Sequence, residues 1–183
     1  MPVRFLVFGI ISVLLAALSW RTLFHVHSHG FYRFFSWECI IWLAISNYSS
    51  WVHDPFSIRQ VFSWGFLFYA LYLVIAGVLQ LKKTGKSTTA RDDKTLFRFE
   101  ETSELIEKGI YRHIRHPLYS SLLFLTWGIF LKNPTVLLAV TALLSTGFLI
   151  LTALADEKEC KQVFGHAYTQ YMKRSKMFIP FIL

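Results

Sequence analysis

Residues 109–119 read Gly-Ile-Tyr-Arg-His-Ile-Arg-His-Pro-Leu-Tyr, and the fold follows from what Pro117 does on either side of itself. A proline fixes φ and has no N–H to leave unpaired, so it suits the first position of a helix. Its ring also pushes His116 out of helical geometry, which predicts a turn over 109–116 and a helix from 117 onward. The free N–H groups and positive dipole end of that helix then face water beside Arg112, His113, Arg115 and His116. An anionic or carboxylate-bearing ligand suits such a place. On charge alone, Arg115 and His116 read equally well as the basic anchors of a juxtamembrane loop.

Working outward, the chain of 183 residues is 54% hydrophobic and 17% aromatic, with a mean hydropathy of +0.44. Several apolar runs approach or exceed the ~18–20 residues that cross a bilayer as a helix. The reading is an all-α polytopic membrane bundle, a single domain over 1–183. Three N-terminal helices occupy 1–81, and a helical hairpin with a C-terminal segment occupies 82–183. Five membrane helices are predicted: 4–24, 34–52, 60–81, 117–132 and 134–155. The first apolar run, Phe5 to Leu18, lacks a small-x-small cleavage site and reads as a retained helix rather than a signal peptide. Asn133-Pro134 marks a tight turn that makes the last two helices an antiparallel hairpin.

Charge sets the orientation. The polar segment 82–116 is placed in the cytoplasm, where it meets the loop 21–33 and the basic C-terminal segment. Of the nineteen Lys and Arg, only Arg4, Arg59 and Lys132 then fall on the other side, as the positive-inside rule requires. The catalytic face and C-terminus are thus expected to be cytoplasmic, in an integral multi-pass protein. The net charge of +8 fits a face resting on anionic headgroups; nucleic acid is excluded as a partner on a chain this apolar.

Other features carry less. Gly85-Lys86-Ser87 is not a phosphate loop, because Gln80 stands where the motif needs its first glycine. Leu96-Phe97-Arg98-Phe99-Glu100 alternates aromatics and suits the membrane interface. Residues 156–164 read as a charged helix stopped at Gly165, followed by a shorter piece, 166–174, and an apolar end from Met177. Cys39 and Cys160 are expected to be structural thiols. His25-x-His27-x-His29 would converge on a metal only from an extended strand, and this is a short loop, so no metal is expected. Glu38, inside a membrane helix, is expected to face the bundle.

The hairpin brings chemistry together. Pro117 lies about seventeen residues before the turn, so its level on the partner helix is near Ile150, with Asp156 and Glu157 one to two turns beyond. The basic turn 109–116 and the acidic 156–159 should therefore meet at one edge of the bilayer. Taken alone, Glu157 also reads as a helix charge paired to Lys161 at i+4. Tyr168 and Tyr171 read either as pocket residues or as interfacial anchors.

The pattern Gly109-x-Tyr111-x-x-x-Arg115-His116-Pro117-x-Tyr119, then Asn133-Pro134, the acidic pair and Phe164-Gly165-x-x-Tyr168-x-x-Tyr171, resembles the isoprenylcysteine carboxyl methyltransferase family and its phospholipid methyltransferase relatives. The resemblance covers residues 103–180; the first three helices match only in hydropathy. It implies an S-adenosylmethionine-dependent membrane methyltransferase with a cytosolic-side cofactor pocket. It places Tyr111, Arg115, His116, Pro117, Tyr119 and Glu157 at the cofactor, with Arg115 and Glu157 also as catalytic candidates and Tyr168 and Tyr171 closing the site. The acceptor is lipidic or prenylated and enters from the bilayer: an isoprenylcysteine-type carboxylate first, a phospholipid amine as the alternative. Three positions depart from the family pattern. Ser103 stands where a His is common, Asp156-Glu157 replaces Glu-Glu and Cys160 replaces Leu, and 151–155 lacks a basic residue. Two other classes stay open: an NADPH-dependent reductase like the sterol reductases, which share a similar Arg-His-Pro stretch, and a non-enzymatic membrane protein.

Overall fold

The computed structural model describes residues 2–26, 28–84 and 104–180, without the side chains of Pro2 and Thr84. The expectations for His27, Gly85–Ser87, Leu96–Glu100, Ser103 and the last three residues lie outside the described residues.

Among the described residues six α-helices follow in order: α1 (Pro2–Leu18), α2 (Trp20–Leu23), α3 (His29–Ser46), α4 (Ile58–Thr84), α5 (Pro117–Phe130) and α6 (Val136–Arg174). Among the described residues there is no strand, only an isolated parallel bridge between Ile114 and Lys176. α4 packs along α5, α3 along α6, and α5 joins the two pairs through α6, while α1 leans on α3.

Several predicted boundaries move for local chemical reasons. The first predicted helix breaks at Ser19, whose carbonyl accepts from Thr22 and Leu23 to start the short α2. The second begins earlier than expected because Ser28 caps it, its hydroxyl accepting from the Phe31 N–H at 3.1 Å. It also ends earlier, since the polar Tyr48–Ser50 winds into a 3-10 turn. The last predicted helix starts after Pro134, at Val136, with Thr135 as its cap. It does not stop at 155 but continues through 156–164 to Gly165, whose φ of 55° and ψ of −126° leave helical space, so that 166–174 forms a second helical piece of α6 beyond the kink, as the sequence predicts. That backbone conformation is open to glycine and strained for other residues.

Two helices, Ile58–Lys83 and Val136–Arg174, are long and apolar enough to cross a membrane; α1 and α5 are apolar but shorter. The outward faces are apolar as well, with Val13, Phe68, Tyr72, Leu137 and Leu143 more than half exposed. Contiguous apolar surface of this kind is what a bilayer covers. Within the bundle, Gly128 lets α5 close on α4, since a Cβ there would sit 2.9 Å from Leu67 Cδ2.

Candidate functional site

The chain enters the site through Gly109, at φ +63°, which opens a 3-10 turn over Gly109–Arg112. His116 then takes φ −122° and ψ 64°, and Pro117 starts α5 at once, as the steric effect of the proline dictates. The segment is held from its other side by the C-terminal stretch. The Arg115 N–H donates to the Lys176 carbonyl at 2.7 Å, the His116 N–H to Met177 at 3.2 Å, and the Lys176 N–H returns to His113 at 3.0 Å. Ser120 Oγ donates to the Phe178 carbonyl at 2.8 Å.

The acidic residues of α6 reach this turn from across the hairpin. Arg115 Nε donates to Glu157 Oε1 at 2.8 Å, and Nη1 to the carbonyls of Met172, at 3.2 Å, and Ser175. His116 Nδ1 lies 3.4 Å from Asp156 Oδ2 and Nε2 lies 3.4 Å from Glu157 Oε1. That second approach is an ion-pair distance without hydrogen-bond alignment, so Nε2 is buried with no hydrogen-bond partner. The His116 ring stacks on Tyr119, with centroids 5.4 Å apart. Glu157 is thus not paired to Lys161 at a helix start; it sits inside α6, 4% exposed.

The ionisation states follow from these contacts. Burial pulls His116 down, but the carboxylates of Asp156 and Glu157 beside it outweigh burial and leave its pKa raised. Burial pushes Glu157 up, yet His116 and Arg115 hold it below the usual carboxylate range. Burial drives the phenols of Tyr168 and Tyr171 well above their ordinary value, so both stay protonated.

Beside this network opens a small cavity of about 100 Å³. Tyr111, Arg115, His116, Pro117 and Tyr119 line one wall, and Asp156, Cys160, Phe164, Tyr168 and Tyr171 the other. Tyr171 Oη donates to the Tyr111 carbonyl at 2.5 Å and ties the walls together. Of the residues singled out in the sequence, only Glu157 does not line the cavity; it lies behind the wall, and Asp156 faces the space instead. Asp156, Cys160, Phe164 and Tyr168 repeat every fourth residue along one face of α6. That spacing was a readable signal for Cys160 and Phe164, which the sequence reading left out of the site. Leu105 and Ile106, also in the wall, carry no such signal.

The histidine motif splits up. His25 Nδ1 approaches the Arg21 carbonyl at 3.0 Å, whereas His29, fully buried, approaches Glu159 Oε2 at 2.8 Å.

S-adenosylmethionine is the group that the sequence resemblance brings to such a cavity, and the residues fit it. The unpartnered His116 Nε2 is a buried polar atom in need of a ligand group, Asp156 offers a carboxylate to a cation, and four tyrosines supply aromatic faces.

Residues 58–167 match the Phospholipid methyltransferase family. The chain is 31% identical over 125 residues to the Protein-S-isoprenylcysteine O-methyltransferase B of Arabidopsis thaliana, covering 65% of this chain and 61% of that protein. It is 32% identical over 71 residues to the Methanethiol S-methyltransferase of Pseudomonas deceptionensis, covering 39% of this chain and 26% of that one. The chain therefore spans less than two thirds of the length of these relatives. No solved structure matches it.

Proposed function

This chain belongs to the phospholipid methyltransferase family, and from that premise we propose that it is a membrane enzyme that transfers the methyl group of S-adenosylmethionine to a lipidic acceptor, an isoprenylcysteine-type carboxylate. The single observation that carries the reading is the cavity walled on one side by the basic turn before α5, with Arg115 and His116, and on the other by Asp156 and the tyrosines of α6. When bound, the cofactor supplies an electrophilic methyl on a sulfonium sulfur.

What the chain itself contributes is placement and charge. Arg115 fixes the turn to Glu157 and to the last turn of α6, so the two walls keep one spacing. Asp156 offers negative charge to the ammonium or sulfonium. His116, held protonated by its two carboxylate neighbours, Asp156 and Glu157, adds positive charge to the same wall. Tyr111, Tyr119, Tyr168 and Tyr171 exclude water and present their faces to the cation. Positioning and desolvation account for most of the expected rate gain.

The protonated state of His116 also bears on the acceptor. An amine or thiol must lose a proton before it attacks, and an imidazolium cannot take one. A carboxylate is already a nucleophile, so the site suits carboxyl O-methylation better than phospholipid N-methylation. The finer topology belongs to the same proposal: five crossings, with the cavity and the C-terminus on the cytoplasmic side.

The test uses membranes carrying the full chain, methyl-labelled S-adenosylmethionine and a panel of prenylcysteine and phospholipid acceptors. Label that returns as volatile methanol after mild base identifies a methyl ester and supports the carboxylate acceptor. Label that stays on a base-stable lipid amine moves the protein to the N-methylating branch, and NADPH oxidation without methyl transfer would replace the proposal with the reductase reading.

A further inference from the structure

Three carboxylates crowd little more than one turn of α6: Asp156, Glu157 and Glu159. Glu157 is answered by Arg115 at 2.8 Å. Asp156 and Glu159 are answered by histidines. His116 Nδ1 is 3.4 Å from Asp156, and His29 Nδ1 is 2.8 Å from Glu159. His29 and the carboxylate oxygens of Asp156 and Glu159 all fall within 4.8 Å of one another. His29 is completely buried and comes from α3, outside the residues 58–167 that match the family.

We propose that Asp156, Glu159 and His29 form a titratable counter-charge beside the cavity, and that it sets the preference for the cationic methyl donor over its neutral spent product. The inference rests on the methyltransferase reading above. S-adenosylmethionine carries a sulfonium, an ammonium and a carboxylate, a net single positive charge. Once the methyl has left, the electron pair of the broken carbon–sulfur bond remains on sulfur, which becomes a neutral thioether, and the net charge falls to zero. A cation entering beside Asp156 competes with the His29 imidazolium for the negative charge of Asp156 and Glu159, so donor binding expels the His29 proton. The spent product lacks the sulfonium and expels fewer.

The surroundings of each histidine support this direction. Facing His29 are Glu159 and Asp156 from α6 and Arg33 from its own helix. Burial pulls its pKa down, and the two acids outweigh burial and Arg33 to leave it raised. Facing His116 are Asp156 and Glu157 from α6, with Arg115 beside it in the chain. On the α2 side His25 is turned to the Arg21 carbonyl, while Lys158 and Lys161 of α6 are exposed. His29 therefore holds a proton that a cation beside Asp156 can displace. Each linked proton changes relative affinity by up to about tenfold per pH unit.

The experiment is calorimetric titration of the full-length protein in lipid nanodiscs with S-adenosylmethionine and with S-adenosylhomocysteine. Two buffers of different ionisation heat are used, from about pH 6 to 8, the range in which histidines change charge. The expected result is more protons released by the donor than by the product, and a donor-to-product affinity ratio that rises several-fold across the range. His29→Gln should shrink the proton difference and flatten the ratio. Glu159→Gln, at a partly exposed position, should do the same from the partner side and serves if the buried substitution fails to fold. Equal proton counts for the two ligands, or counts unchanged in both variants, would overturn the inference, as would stoichiometric zinc or manganese in the purified protein. Binding of neither ligand would instead overturn the methyltransferase reading on which it rests.

Discussion

Both ends of the bundle bury a cation, and they treat it in opposite ways. At the Lys132 end the ammonium is fully buried. It donates to Gln60 Oε1 at 3.0 Å and lies 3.6 Å from the centre of the Trp64 ring, with Trp51 a second ring at 5.7 Å. Gln60 passes the contact on to the carbonyls of Ser50 and His53, and Arg59 binds the carbonyls of Leu131 and Lys132. These partners are neutral. At the Arg115 end the partners are carboxylates, two of the cations are histidines, a cavity lies alongside, and one buried nitrogen has no hydrogen-bond partner. Buried charge closed off by amides, carbonyls and rings is a structural lock; buried charge that leaves an open nitrogen beside a cavity is a site.

The largest expected effect is at Arg115. Arg115→Ala leaves the buried Glu157 with His116 alone opposite it, which costs up to about 3–5 kcal/mol, and methyl transfer should fall by about a hundredfold or more. Arg115→Lys should not restore it, because a lysine cannot reproduce the fork that serves Glu157 and two carbonyls. Thermal unfolding in detergent and a transfer assay check both halves. Next comes the other end. Lys132→Met should lower stability by about 1–3 kcal/mol, because Gln60 loses its partner, and leave cofactor affinity unchanged. A drop in affinity there would erase the distinction between lock and site.

Smaller effects sharpen the site itself. Gly109→Ala forces a side chain into left-handed space, at about 1–2 kcal/mol, with its Cβ only 2.5 Å from Gln80 Oε1. Cofactor affinity should fall with it, as read by equilibrium binding. Tyr171→Phe removes one hydrogen bond to the Tyr111 carbonyl, worth about 1 kcal/mol, and should weaken cofactor binding several-fold without changing helix content by circular dichroism.

The mildest effect is a pH profile. The raised pKa of His116 gives stability that is complete below its unfolded value and lost as pH rises through the folded one. The lowered pKa of Glu157 gives stability present above its unfolded value and lost as pH falls through the folded one. The ligand-free protein should therefore be most stable between the two limbs. His116→Gln should flatten the alkaline limb in chemical denaturation at several pH values.

The two ends also differed in how much of them the sequence disclosed. Pro117 dictated the start of α5 and the turn before it, because one ring acts locally. Asn133-Pro134 closed the hairpin, which put Arg115 and His116 opposite 156–159 by simple counting. Less legible was the continuity of α6 through Asp156. Three acids suggest a fresh helix start, and only their pairing with Arg115, His116 and His29 makes them compatible with a helix interior. The wall from Ser175 to Phe178 was invisible because it is held by backbone bonds to 113–116, which no side-chain pattern encodes. His29 was hidden inside a histidine repeat whose spacing pointed to a different geometry. At the far end only an expected side of the membrane was legible for Lys132, since nothing in the sequence placed Trp64 and Gln60 around the ammonium.

The most direct measurement is equilibrium binding of labelled S-adenosylmethionine to the purified full-length protein, comparing wild type with His116→Ala, Asp156→Asn and Lys132→Met. Saturable binding that the first two variants weaken at least tenfold and the third leaves intact is the predicted result. No binding by the wild type, or equal loss in all three variants, would contradict it.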